Sequence, residues 1–250
     1  MTTFWALSFI LSLLMLLIGG KRGAKSFFAL YVNILILIIT VFLLYFKVNP
    51  ILLALIVSIL ISAFNLYFIN GIHLKTNASF LSISLVMCLL FLLTLLFTMH
   101  LGLQGFSEEE WEEIGVYSLH IGINFYQIAV FTTIIAAVGA ILDTTISVAS
   151  SIYEYYTHFK EATFKELYAN GLAVGKGILS ATSTTLFFAY LGSYLTLIIW
   201  LITLHYSLLD TLNSKVFGLE IIATLIGGIG VIVAVPVTAY ITSYLIKKQR

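Results

Sequence analysis

Seven long apolar runs, almost free of charge, constrain this chain more than any other feature. They fall at about 3–20, 26–46, 50–70, 77–101, 124–149, 171–192 and 219–246. A helix needs roughly 20 apolar residues to cross a hydrocarbon layer about 30 Å thick. Backbone inside that layer must satisfy its own hydrogen bonds, so each run reads as a spanning helix. The runs are continuous rather than alternating, which argues against a β-barrel. Composition excludes a soluble domain: 61% of residues are apolar and 9% charged, against about 45–50% and 25% in soluble proteins. The predicted fold is all-α, a polytopic transmembrane helical bundle whose first partner is the lipid bilayer.

An eighth apolar segment, 194–209, is short for a span and carries Tyr194, Trp200, His205 and Tyr206. Loop charges bear on it, because lysine and arginine concentrate on the cytoplasmic side. If the segment does not cross, Lys21, Arg22, Lys25, Lys75, Lys160, Lys165, Lys176, Lys247, Lys248 and Arg250 share one side, with only Lys47 and Lys215 opposite. If it crosses, the bias weakens. The expectation is therefore seven spans plus a re-entrant or interfacial helix at 194–209, with eight spans as the alternative. The N-terminus is expected outside and the C-terminus in the cytoplasm. The first basic cluster follows the first apolar run, so that run reads as a retained span rather than a signal peptide.

Three parts are distinguishable. Residues 1–103 are four plain spans with scattered polar residues, of which Asn65 is a candidate for interhelical hydrogen bonding. Residues 104–122 form an acidic external loop containing Glu108 to Glu113. Residues 123–250 are rich in small residues, which let helices approach closely. Gly139, Gly171, Gly175, Gly227 and Gly230 are the candidate packing positions, and Pro236 removes one backbone hydrogen bond from the last helix. Cys88 reads as a small buried hydrophobe.

The third part also holds an acid inside the fifth span. Asp143 has no charged neighbour in its apolar run, and a carboxylate at mid-membrane costs roughly 2.5–3.5 kcal/mol on insertion scales. Such a residue is a functional candidate, suited to taking up a proton or a cation. Helical spacing puts Gly139, Asp143, Ser147, Ser150 and Glu154 on one face. The sixth span offers Thr182, Thr184 and Thr185, whose hydroxyls either bond the Asp143 carboxyl or bond their own helix backbone. The bland alternative is an inert, hydrogen-bonded packing aspartate.

Residues 139–154, Gly171 to Leu186, and Gly227 to Thr238 resemble the corresponding stretches of YibE/F-type membrane proteins. The same half resembles, more distantly, the SecF export subunit and the RND superfamily. In those proteins a small-residue helix carries a polar pair, a later acid and a terminal Glu. Here Asp143 and Thr144 take the pair's places, Ser150 replaces the later acid, and Glu154 fits the last. The next helix of that family carries a hydroxyl-rich stretch like 181–185. The resemblance implies a bacterial cell membrane protein, and a second half as partner: a paralogous YibE/F-type subunit or a homodimer.

No nucleotide-binding, zinc or protease motif occurs, and the five histidines share no ligand spacing. No enzyme activity, cofactor, metal site or nucleic-acid partner is expected. The function expected is a membrane transporter or export-type subunit, coupled to a proton or ion through Asp143. The alternative is a non-transporting scaffold for a paralogous partner.

Overall fold

The computed structural model describes residues 2–101 and 124–248. The external loop expected at 104–122 lies outside them. The helices are α1 (Thr2–Tyr45), α2 (Pro50–Asn70), α3 (Leu74–Leu101), α4 (Phe125–His158), α5 (Phe164–Thr203), α6 (Leu208–Asn213) and α7 (Lys215–Lys248). No strand occurs among the described residues. Among the described residues six helices are long and apolar enough to cross a membrane, and the chain is a multi-pass membrane protein.

The first of the six is two spans. At Gly20 the backbone takes φ 53° and ψ −135°, a left-handed conformation that glycine adopts without a Cβ penalty. The chain reverses there. Gly23 lies against the Met15 backbone, and the Ser8 and Tyr31 hydroxyls are hydrogen-bonded. In a straight helix rising 1.5 Å per residue neither pair would meet. With α1 counted as a hairpin, the seven expected apolar limbs are all present.

Local signals set the next boundaries. Asn49 caps α2, its side chain accepting from the backbone N–H of Ile51 at 2.9 Å, and Pro50 occupies the first helical position, where no N–H is needed. Gly71 ends the helix at φ 76°. The second limb of α1 is tied to α2 by a reciprocal amide pair. Asn33 donates to Asn65 at 3.0 Å, and Asn65 donates back at 2.9 Å. Such interhelical bonds are worth on the order of 1 kcal/mol in membranes.

The bundle core is contributed by both halves of the chain. Leu53 and Leu66 from α2, Ile83 and Leu90 from α3, Ile134 and Ile141 from α4, and Ile226 from α7 are buried in one cluster. A second cluster joins Ile152, Leu167 and Ala239 of α4, α5 and α7. Helix α4 is central, packing against α2, α3, α5 and α7. Most of the outer surface is Leu, Ile and Phe, as a lipid-facing surface requires. Cys88 is on that surface rather than buried, because α3 turns Met87 and Leu90 inward instead.

The segment expected to re-enter at 194–209 does not form a separate helix. Residues 194–203 continue α5, a single 40-residue helix. One glycine in a helix costs only about 1 kcal/mol, so Gly192 does not break it. At 1.5 Å per residue α5 is about 60 Å long, twice the hydrocarbon thickness, and overshoots it. Residues 204–207 then turn into the short α6, whose first turn is closed by a Ser207–Asp210 capping box.

Alternation of the helices gathers Lys21, Arg22, Lys25, Lys75, Lys160, Lys165, Lys247 and Lys248 at one end of the bundle, and Lys47 and Lys215 at the other. Reporters inserted in the Lys21–Lys25 turn and fused after Arg250 are therefore expected to report the same side of the membrane. Signals from opposite sides would overturn the seven-limb topology.

Candidate functional site

Asp143 sits near the middle of the 34-residue α4. Its neighbours in sequence turn into the core: Ile141, Thr144 and Thr145 are all fully buried. Thr144 donates to the Ala140 carbonyl at 2.8 Å and Thr145 to the Leu142 carbonyl at 2.9 Å. From α3, Ser79 donates to the Thr145 carbonyl at 3.2 Å. With Thr144 and Thr145 facing inward, helical rotation directs Asp143 outward. It is exposed.

The exposed position is part of a continuous face. Thr132, Ala136, Gly139 and Asp143 are exposed, Ser147 and Ser150 half-buried, and Glu154 exposed. Nothing lies within 4 Å of where a Cβ would stand on Gly139. The residues expected to share a face do share one, and within this chain that face is uncovered. Among the described residues no hydrogen bond or ion pair reaches the Asp143 carboxylate.

Two of the three hydroxyls expected opposite it are otherwise engaged. Thr184 donates to the Ser180 carbonyl at 2.8 Å and Thr185 to the Ala181 carbonyl at 2.9 Å. Both are exposed, and Thr182 is half-buried. Thr184 and Thr185 thus bond their own helix, as isolated helical threonines commonly do.

The candidate packing glycines divide. A Cβ on Gly171 would stand 2.5 Å from Ile152 Cδ1 and 2.9 Å from Ala239 Cβ. One on Gly230 would stand 2.6 Å from Leu90 Cδ1 and 2.8 Å from Ile141 Cδ1, and one on Gly175 would overlap Val235. These three hold α3, α4, α5 and α7 together. Gly139 and Gly227 meet nothing within 4 Å. Pro236 lies inside α7, which continues through it.

Two polar features were not singled out from the sequence. The first lies at the basic end of the bundle. The side-chain oxygens of Thr76, Asn170, Thr238, Thr242 and Ser243 are buried without a hydrogen-bond partner among the described residues. Most other helical hydroxyls bond their own backbone, so these few mark a polar stretch of the core. Unpaired buried groups of this kind cost about 1–3 kcal/mol each.

The second is Glu220, half-buried near the start of α7. Tyr190 and Tyr194 of α5 line one cleft with its side chain. Its signal in the sequence was the one that drew attention to Asp143, an acid inside an apolar run, Phe217-Gly-Leu-Glu220-Ile-Ile. That signal is weaker at Glu220, which stands close to the run's edge.

A family model described as YibE/F-like protein matches residues 7–248. The match takes in the four N-terminal limbs as well as the small-residue half at 123–250. No curated protein and no solved structure gives a significant match. The chain belongs to the YibE/F-like family.

Proposed function

From this family membership and the geometry of α4, we propose that the chain is one half of a membrane transporter or export-type assembly. In this reading Asp143 is the proton- or ion-coupling residue at the seam between two halves. The observation that carries it is the position of Asp143: an acid midway along the central helix, exposed on a face where Gly139 has no neighbour. A carboxylate against acyl chains costs roughly 2.5–3.5 kcal/mol. Intramembrane acids almost always face a bundle interior or a hydrated cavity. A second half laid over Thr132, Ala136 and Gly139 would enclose Asp143 in such a cavity. The second half is a paralogous YibE/F-type subunit or another copy of this chain. The small residues of the face would allow close approach, and Ser147, Ser150 and Glu154 would continue a polar track toward the basic end. That end is the cytoplasmic one by the distribution of lysine and arginine.

The test is a growth or flux phenotype that depends on this chain, with protein level controlled. Asp143→Asn is expected to lower activity at least tenfold, and Asp143→Glu to retain part of it. Wild-type activity in Asp143→Asn would remove Asp143 from the mechanism. Were Gly139→Trp to abolish activity in that same case, the chain would be a scaffold for its partner rather than a transporter.

A further inference from the structure

Between α5 and α7, toward the end of the bundle opposite the basic cluster, lies a cleft of about 320 Å³. Phe187, Tyr190 and Tyr194 line it from α5, and Phe217, Glu220 and Ile221 from α7. A volume of this size lies at the lower end of the range for small-molecule sites, which are mostly apolar with a few placed polar groups. Here the walls are rich in aromatic rings and Glu220 is the one acid in the lining. Tyr190 and Tyr194 line the cleft together with Glu220, which sets the carboxylate among aromatic rings. No lysine or arginine is paired with Glu220 among the described residues.

We propose that this cleft is a binding site for an amphipathic organic cation, with the carboxylate of Glu220 as counter-ion and the rings of Phe187, Tyr190 and Phe217 around the ligand's apolar body. Charge complementarity selects the occupant. A half-buried carboxylate without a basic partner attracts a cation, and aromatic faces add cation–π attraction. An inorganic cation would leave the apolar walls unused. A neutral lipid chain would leave the carboxylate uncompensated. The depth also fits. Glu220 stands within the first two turns of α7, near the membrane interface, where molecules with an apolar body and a charged head partition. The site is separate from Asp143, which lies on α4 and does not line the cleft. The inference therefore does not depend on the coupling role of that residue.

The full chain in lipid nanodiscs, with radiolabelled tetraphenylphosphonium as probe and empty nanodiscs as blank, tests this. Saturable binding above the blank is expected. Excess unlabelled cation should displace the probe, and the neutral isostere tetraphenylsilane should not. Glu220→Gln keeps the size of the side chain and removes only its charge, and is expected to weaken binding at least tenfold. Phe187 is exposed, so Phe187→Leu tests the aromatic wall without disturbing the core, and should weaken binding severalfold. Absence of saturable binding by the wild-type chain would overturn the proposal. So would unchanged affinity in both variants, or equal displacement by tetraphenylsilane, which would make the cleft a groove for lipid chains.

Discussion

Leucine at Gly175 is expected to prevent the chain from reaching its folded state, whereas alanine at Gly177, two residues away, is expected to leave it intact. The contrast comes from what each position faces. On Gly175 even a Cβ would overlap the Val235 side chain of α7, and Val235 is itself buried against Ala239 and Ile152. Extra carbons in a packed core usually cost about 1–3 kcal/mol. A whole isobutyl group at a helix crossing must instead push α5 away from α7. The same crossing contains Gly171, where a Cβ would already stand 2.5 Å from Ile152 Cδ1, so separation of the helices also exposes that contact. Gly177 has open space around its Cβ position, and alanine there gains about 0.5–1 kcal/mol of helix stability. Size-exclusion profiles of detergent-extracted protein give the readout. Gly175→Leu should lose the monodisperse peak and Gly177→Ala should keep it. A normal peak for Gly175→Leu would mean that α5 and α7 do not cross at these glycines.

The contact that makes Gly175 critical was visible in the sequence only as a spacing. Gly171 and Gly175 stand four residues apart on an apolar helix, which marks a face without saying what meets it. Gly139 carried the same signal and faces nothing within the chain. Small residues announce that something approaches closely, but the approaching surface can belong to another chain. The position of Asp143 along its helix was legible for the same reason that spans are: it interrupts an apolar run. Its direction was not, because α4 is apolar or small on every side and contacts four other helices. Only the inward placement of Thr144 and Thr145 decides it. The order of the spans and the gathering of basic residues at one end were legible because both follow from membrane thickness and loop charge. The same length argument fails for 194–209, of which residues 194–203 continue α5. A helix that overshoots the hydrocarbon looks, from composition, like a span followed by a second short element.

Replacing Asp143 with leucine is expected to move stability and activity in opposite directions. On insertion scales Asp at a helix centre costs roughly 2.5–3.5 kcal/mol, and Leu is favourable by about 0.3–0.6 kcal/mol. Asp143 is exposed on the chain alone and has no partner among the described residues, so nothing within the fold offsets that cost. Produced without a second half, Asp143→Leu should therefore accumulate in the membrane to a higher level than wild type. Produced with its second half, it should show the same loss of activity as Asp143→Asn, because neither side chain carries an acid. An aspartate that held the bundle together would behave differently: its loss would leave buried donors unpaired, and abundance would fall. Lower abundance of the leucine variant would thus place the carboxylate inside this chain's own packing. Higher abundance with activity lost would mark a residue retained at a cost to the single chain, because it acts once a second half covers it.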